Sequence, residues 1–345
     1  MMRLSAVGTS GSFGGPGATT SCYLVEWEAE RRYAVLLDLG AGALGPLQSH
    51  IDPDALDAVV LSHLHPDHCF DIAGLYVHRT YSPWAVARRE ETGEPRAPLP
   101  VWAPEGALAR LTAAYHTDPG RSPLAESAHP TDLTAAFDFR DMREDEAFTV
   151  GGVRFEPFLV EHPVECYALR LTGPEGEVLT YSGDTDACPG LLRAADGADL
   201  FLCEAAYEEE RDSVRGVHLT GRRAGEAAAS AGAGSLVLTH IPPWTREHIV
   251  AAEAAGAFAG PVSIARPGGT WAIGPGAVGA GPAVSPGKGA AAPEGAATSE
   301  GAAPPAAAPQ ITSPASAEPV HASADGAGSR IGSPASAQAE RKDTP

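Results

Sequence analysis

The sequence predicts an α/β fold of four layers, two β-sheets packed face to face with helices on each outer side, an αββα sandwich. Three observations carry that prediction. Short β-rich runs bounded by Gly, Pro or Asp recur in both halves of the chain, four of them arrive before any long helical pattern, and each half holds helical patterns able to cover one sheet face. The opening strands are expected at residues 3–7, 21–27, 33–38 and 57–62. Residues 67–81 then read as one helix, with Asp67 in a capping position and Ile72, Leu75, Tyr76 and Tyr81 supplying a partial apolar face, and Pro83 ends it. Residues 82–100 and 116–135 are polar and Pro-containing, and are expected to be surface loops or partial lids. Strands follow at 153–160, 167–171, 178–182 and 200–203, then helices at 220–231 and 245–258 around a buried strand at 236–239.

Composition divides the 345 residues into a domain, residues 1–274, and a tail, residues 275–345, made mostly of Ala, Pro, Gly and Ser. With so few large apolar side chains the tail cannot offset its ordering entropy, so disorder is expected there. The net charge is −20, and the acidic and basic residues of the tail nearly cancel, so the domain carries almost all of it. An acidic domain repels phosphate backbones, which disfavours general nucleic-acid binding. The five cysteines, Cys22, Cys69, Cys166, Cys188 and Cys203, are odd in number and lack Cys-x-x-Cys spacing, as expected of buried reduced thiols. No long apolar segment opens the chain and none approaches a membrane span, so a cytoplasmic protein without membrane attachment is expected, and a homodimer is compatible with this composition.

The chemistry concentrates after the apolar strand Val59-Val60-Leu61. Ser62-His63-Leu64-His65-Pro66-Asp67-His68 places three imidazoles and a carboxylate within six residues. Those are donors that a borderline divalent ion such as zinc prefers, and four in one loop can address two ions. His-x-His-x-Asp-His in this setting resembles the signature of the metallo-β-lactamase superfamily. Three more residues match the remaining ligands of that family in order: His162 in Val160-Glu161-His162-Pro163, Asp184 in Tyr181-Ser182-Gly183-Asp184-Thr185, and His240 in Val237-Leu238-Thr239-His240. Each alone has an ordinary explanation as a loop histidine, a turn aspartate or a strand-end histidine. The resemblance implies that His63, His65 and His162 hold one metal, that Asp67, His68 and His240 hold the other, and that Asp184 bridges them. Two divalent ions, Zn2+ first and Mn2+ as the alternative, would share a bridging hydroxide as nucleophile, oriented by Asp67.

Such a nucleophile can attack a lactam, a thioester or a phosphodiester, so other residues must select the reaction. Phe201-Leu202-Cys203-Glu204-Ala205 and His218-Leu219-Thr220 resemble the ribonuclease Z and phosphodiesterase branch, in which Glu204 would hold His218 and His218 would act near the leaving group. Glyoxalase II-type thioesterases share the histidine loop but do not account for that pair. The chain departs from ribonuclease Z itself. Ile241-Pro242-Pro243-Trp244 stands where that enzyme has a serine and an arginine, only 21 residues separate His162 from Asp184, and the domain is acidic. The wider resemblance is to actinobacterial cyclic-nucleotide phosphodiesterases. It also rests on Gly8-Thr9-Ser10-Gly11-Ser12, Gly42-Ala43-Leu44-Gly45, His218-Leu219-Thr220-Gly221 and Leu238-Thr239-His240-Ile241-Pro242-Pro243-Trp244. It implies hydrolysis of a small phosphodiester, a 3′,5′-cyclic nucleotide such as cyclic AMP, with Asp67, His218 and Glu204 as the catalytic residues. A ribonuclease Z-like tRNA 3′ endonuclease or another phosphodiesterase is the alternative, and a non-catalytic metal-binding interaction module is the alternative of a different class.

Overall fold

The computed structural model describes residues 1–94, 96–115 and 131–274 of the chain, so the expected tail and most of the loop expected at 116–135 lie outside the described residues. Among the described residues, fourteen strands build two seven-stranded sheets. The first contains β1 (Met2–Gly8), β2 (Cys22–Glu28), β3 (Arg32–Leu37), β4 (Ala58–Val60), β5 (Leu99–Ala103), β6 (Phe137–Asp141) and β14 (Thr270–Ile273), in the order β14-β1-β2-β3-β4-β5-β6. The second contains β7 (Phe148–Val150), β8 (Val153–Leu159), β9 (Tyr167–Thr172), β10 (Val178–Tyr181), β11 (Leu200–Glu204), β12 (Leu236–Thr239) and β13 (Val262–Ile264), in the order β13-β12-β11-β10-β9-β8-β7.

Three apolar clusters make four layers of these elements. Met2, Leu4, Tyr23, Val25, Leu37, Val60, Phe155, Leu169, Leu179, Tyr181 and Leu202 pack between the sheets. On the outer face of the first sheet, Leu24, Leu36, Val59 and Val101 are covered by Leu47 of α1 (Leu44–Leu47), Ile72 and Leu75 of α3 (Ile72–Tyr81) and Leu111 of α5 (Ala107–Tyr115). On the second, Ala168, Phe201, Cys203 and Leu238 are covered by Leu191 of α6 (Pro189–Ala195), Ala224 and Ala228 of α7 (Gly221–Ser230) and Val250 and Ala254 of α8 (Glu247–Ala257). Strand residues therefore alternate between an inter-sheet partner and a helix, which is why they read as near-continuous apolar runs. The predicted four-layer sandwich is the observed one.

The strand directions create the site. β3, β4, β5 and β6 run parallel, as do β10, β11, β12 and β13. β8 is antiparallel to β9, which is antiparallel to β10, so β8 shares the direction of β10. The chain thus leaves many strands along one edge of the sandwich, where ligand sites of parallel sheets lie.

Three local expectations are corrected. The helix expected at 67–81 is broken into α2 (Pro66–Cys69) and α3. The His68 carbonyl accepts from Leu39 N–H (2.8 Å) and the Asp71 N–H donates to the Leu39 carbonyl (3.2 Å), so the β3 exit strap takes the bonds that a continuous helix would need. Asp67 is not a cap either: His65 occupies the N-cap position, Pro66 opens the turn, and the Asp67 carboxylate faces the site. Residues 82–100 are not a plain loop but hold α4 (Pro83–Thr92) and the start of β5. Ser82 caps α4 by accepting the Ala85 N–H (3.1 Å), Pro83 fills the first helical position and Gly93 closes it in a left-handed conformation. Pro100 is tolerated because β4 pairs with β5 only from Val101 onward. Cys22, Cys69, Cys166 and Cys203 are buried free thiols and Cys188 is half-buried. Among the described residues no helix is long and apolar enough to cross a membrane.

Candidate metal centre

Eight of the nine predicted site residues follow or end a strand on the same edge, and the ninth, His218, lies in the segment between β11 and α7. His63, His65, Asp67 and His68 follow β4, His162 follows β8, Asp184 follows β10, Glu204 ends β11 and His240 follows β12. The structure brings all seven predicted ligands together in two overlapping sets, His63, His65, His162 and Asp184 on one side and Asp67, His68, Asp184 and His240 on the other. In each set the donor atoms lie within 4.8 Å of one another, and Asp184 belongs to both.

The backbone enforces this convergence. His240 lies in the left-handed region (φ 54°), uncommon for a residue with a side chain and often a mark of a functional site. Gly183 precedes Asp184 at φ 58°, and a Cβ there would come within 2.8 Å of the Tyr167 carbonyl oxygen and 3.2 Å of Ser62 Cβ, so only glycine passes.

Outer hydrogen bonds decide which ring nitrogen faces inward. His162 Nδ1–H donates to the Val217 carbonyl (2.9 Å), so the neutral ring turns the lone pair of Nε2 inward, 3.2 Å from His65 Nδ1. His68 Nδ1–H donates to Asp38 Oδ2 (2.7 Å), leaving its Nε2 3.1 Å from His240 Nε2 and 3.3 Å from Asp184 Oδ1. Ser62 Oγ donates to Asp38 Oδ2 (2.8 Å) and therefore accepts from His63 Nδ1–H (3.1 Å), which aims His63 Nε2 at His65 Nδ1 (3.0 Å) and at Asp184 Oδ2 (3.7 Å). Asp67 Oδ2 accepts the Ser12 N–H (2.8 Å) and lies 3.2 Å from His240 Nε2.

This arrangement fits divalent cations. Ring nitrogens that cannot all be donors face one another at hydrogen-bonding distance, and Asp184 Oδ1 is buried without an aligned donor. Burial holds the His63, His65 and His162 imidazoles below their usual range, which favours the neutral ligand form. Burial opposes charge on His68 as well, but Asp184 and Asp38 overcome it and pull its basicity up. Burial likewise opposes the Asp67 and Asp184 anions, yet the neighbouring imidazoles, His240 foremost, hold both carboxyls well below the ordinary carboxylate range. Neutral His63, His65 and His162 beside the persistent Asp67 and Asp184 carboxylates form a cation-binding donor set.

Beside it stands the other predicted pair. His218 Nδ1–H donates to Glu204 Oε1 (2.8 Å) and lies 4.0 Å from Asp184 Oδ2. Glu204 is fully buried, and it also accepts the backbone N–H groups of Thr185 (2.7 Å), Ala206 (3.2 Å) and Leu219 (3.3 Å). Burial disfavours the His218 cation, but the Glu204 carboxylate outweighs it and carries the imidazole up to about 9. Thr220 caps the following helix, α7, by accepting the Arg223 N–H at 3.2 Å.

Sequence reasoning missed two supporting residues. Asp38, fully buried and left-handed (φ 60°), accepts from Ser62 N–H (2.7 Å), Ser62 Oγ, His68 Nδ1 and Tyr181 OH (2.6 Å), so one carboxylate orients two imidazoles. The available signal was an aspartate directly after Ala34-Val35-Leu36-Leu37, the buried apolar run that ends β3. Asp186 accepts the Gly216 N–H (2.7 Å) and pairs with Arg223, pinning the segment that supplies Val217 to His162 and carries His218. Asp186→Ala is expected to weaken metal affinity or activity by roughly ten- to a hundredfold, as loss of an outer partner usually does. Metal titration with steady-state kinetics measures this, and wild-type values in both would show that the segment is held without it.

Comparison with known proteins agrees with this geometry. A beta-lactamase superfamily domain matches residues 33–241. An uncharacterized protein of Mycobacterium leprae is 41% identical over 261 residues, covering 76% of this chain and 85% of that protein. The probable metallo-hydrolase YhfI of Bacillus subtilis is 28% identical over 270 residues, covering 78% of this chain and 99% of that protein. The crystal structure of YhfI, a metallo-β-lactamase fold protein, superimposes with a TM-score of 0.65 at 26% identity, over 79% of this chain and 99% of that one. The short form of human tRNase Z shares the fold, with a TM-score of 0.58 at 18% identity over 79% of this chain and 99% of that one. Since the matched domain spans more than half of its length and includes all seven clustered donors, the chain belongs to the beta-lactamase superfamily and has the metallo-β-lactamase fold.

Proposed function

We propose that this chain is a metal-dependent hydrolase, and more narrowly a phosphodiesterase that opens a 3′,5′-cyclic nucleotide. The observation that carries the narrower reading is the Glu204–His218 pair set beside the donor cluster. Two divalent ions, held by His63, His65 and His162 and by Asp67, His68 and His240 with Asp184 between them, would supply Lewis acidity toward a phosphoryl oxygen and acidify water.

The chain's own residues do the rest. Glu204 holds the His218 Nδ1–H, so Nε2 is the atom left to meet substrate. An alkoxide leaving from phosphorus is strongly basic and departs as an alcohol only if a proton reaches it, and His218 is placed to deliver one. Asp67, anchored by the Ser12 N–H, keeps a carboxylate beside the attacking side of the centre to take a proton from water. A compact cyclic diester suits a chain of net charge −20, which repels a polyanionic RNA. The name of YhfI as a probable metallo-hydrolase supports the broader reading. The same proposal takes residues 1–274 as the catalytic domain and residues 275–345 as an appended tail.

Incubation of metal-loaded protein with cyclic AMP and with pre-tRNA tests this. Release of the nucleoside monophosphate is expected, and cleavage of the pre-tRNA alone would overturn the proposal. His218→Ala should lower kcat by about 10²- to 10⁴-fold with metal content unchanged, the usual range for loss of a general acid. Elemental analysis beside steady-state kinetics checks it, and an unchanged kcat would remove His218 from the mechanism.

A further inference from the structure

We propose that Phe13 and Trp244 form an aromatic platform beside the metal centre that stacks the base of a nucleotide substrate, a role that rests on the phosphodiesterase reading above. Both side chains are large, apolar and more than half exposed, Phe13 at 54% and Trp244 at 52%, and their rings touch, with centroids 5.2 Å apart and planes 48° from parallel. Single exposed aromatics are ordinary on a protein surface. Here two of them come from opposite ends of the domain and meet over the loops that set two of the clustered donors.

Each is placed through a donor of the centre. Phe13 follows Ser12, whose N–H bonds Asp67 Oδ2 (2.8 Å) from a left-handed backbone (φ 64°). The turn is pinned by Phe13 N–H to the Gly11 carbonyl (2.7 Å) and by Ser10 Oγ to the Phe13 carbonyl (2.7 Å). Gly11 lies directly against His240, where a Cβ would come 2.5 Å from the carbonyl oxygen and 2.8 Å from Nδ1. Trp244 follows His240 through the stiff pair Pro242-Pro243. Its turn is closed by Thr245 N–H to the Pro242 carbonyl (2.9 Å), Thr245 Oγ1 to the Ala206 carbonyl (2.8 Å) and the Arg211 guanidinium to the Trp244 carbonyl (3.2 Å). Both rings are therefore carried on backbone that is already ordered, so little freedom is lost when something stacks on them.

A nucleobase is the occupant that this chemistry suits. It is flat, uncharged and joined through a sugar to the phosphoryl group that the centre would take, and it avoids the repulsion that a polyanion would meet on an acidic domain. Because the two rings touch, the base lies on the outer face of the pair and not between its members. Stacking tolerates any base, so the platform separates nucleotides from baseless phosphates more than one nucleotide from another.

The test measures binding, not turnover. Full-length protein loaded with Mn2+ is titrated calorimetrically with adenosine 5′-monophosphate and with ribose 5-phosphate, as wild type and as Phe13→Ala, Trp244→Ala and Trp244→Phe, with thermal melts confirming that each variant folds. The wild type should prefer the nucleotide. Each alanine variant should lose about tenfold or more of that affinity while ribose 5-phosphate binds as before, and Trp244→Phe should keep much of it. A wild type without preference, or alanine variants that keep the preference or lose both ligands equally, would overturn the platform. The two proposals fail separately. Base-selective binding without hydrolysis of cyclic AMP removes the phosphodiesterase and leaves the platform, whereas hydrolysis with base selectivity intact in the variants does the reverse.

Discussion

Asp184→Asn is expected to reduce hydrolysis by more than about a thousandfold, because its carboxylate is common to both donor sets and metals held there would contribute several kcal/mol to the transition state. The substitution keeps the shape of the side chain and removes its charge. Around it stand His63, His68 and His240, with ring nitrogens 3.7, 3.3 and 3.3 Å from its oxygens, so an amide would face imidazoles where an anion now does. The bound metal should fall below two ions per chain, and the rise in melting temperature on adding Zn2+ should shrink, since a ligand stabilises the fold only in proportion to how tightly it binds. Inductively coupled plasma analysis and a melt with and without metal separate this result from simple unfolding. Two tightly held ions and wild-type turnover in the variant would refute a shared centre.

Asp38 gives the second large effect, although it lies outside both donor sets. Asp38→Ala would strand four buried donors, Ser62 N–H, Ser62 Oγ, His68 Nδ1 and Tyr181 OH, and place alanine at a positive φ. A loss on the order of 3–5 kcal/mol in stability is expected, as for breaking a buried charged network. Asp38→Asn is the sharper experiment, because asparagine accepts the left-handed backbone and the volume is kept. Its amide nitrogen would still point a donor at a donor. Relief by the other His68 tautomer would put a hydrogen on Nε2, where the centre needs a lone pair. Metal affinity is then expected to fall by roughly ten- to a hundredfold with the fold intact. Urea denaturation of the alanine variant and metal titration of the asparagine variant measure the two effects, and unchanged affinity in Asp38→Asn would show that His68 does not depend on this partner.

The layers were legible because burial on both faces writes long apolar runs into strands such as Val59-Val60-Leu61 and Leu236-Val237-Leu238. Helix boundaries were less so. Periodicity carried one helix across residues 67–81, but Leu39 and Asp71 take the hydrogen bonds at the break, and no local pattern announces a partner from another strand. α4 was legible in retrospect from Ser82, Pro83 and Gly93, signals outweighed by its polar composition.

By itself the sequence pointed to the four-layer sandwich through its apolar runs, to His63, His65, Asp67 and His68 through their spacing, and to His162, Asp184, Glu204, His218 and His240 through the family resemblance, nine candidate residues that the fold brings together. Only the tertiary structure decided which nitrogen of each imidazole faces the centre, that Asp38 and Asp186 support it, and that Phe13 meets Trp244. Those relations join residues far apart in the chain, Tyr181 to Asp38 across 143 positions among them. Spacing reports only what neighbours can do. The direction of a lone pair is settled by whichever distant donor or acceptor the fold brings to the opposite side of the ring.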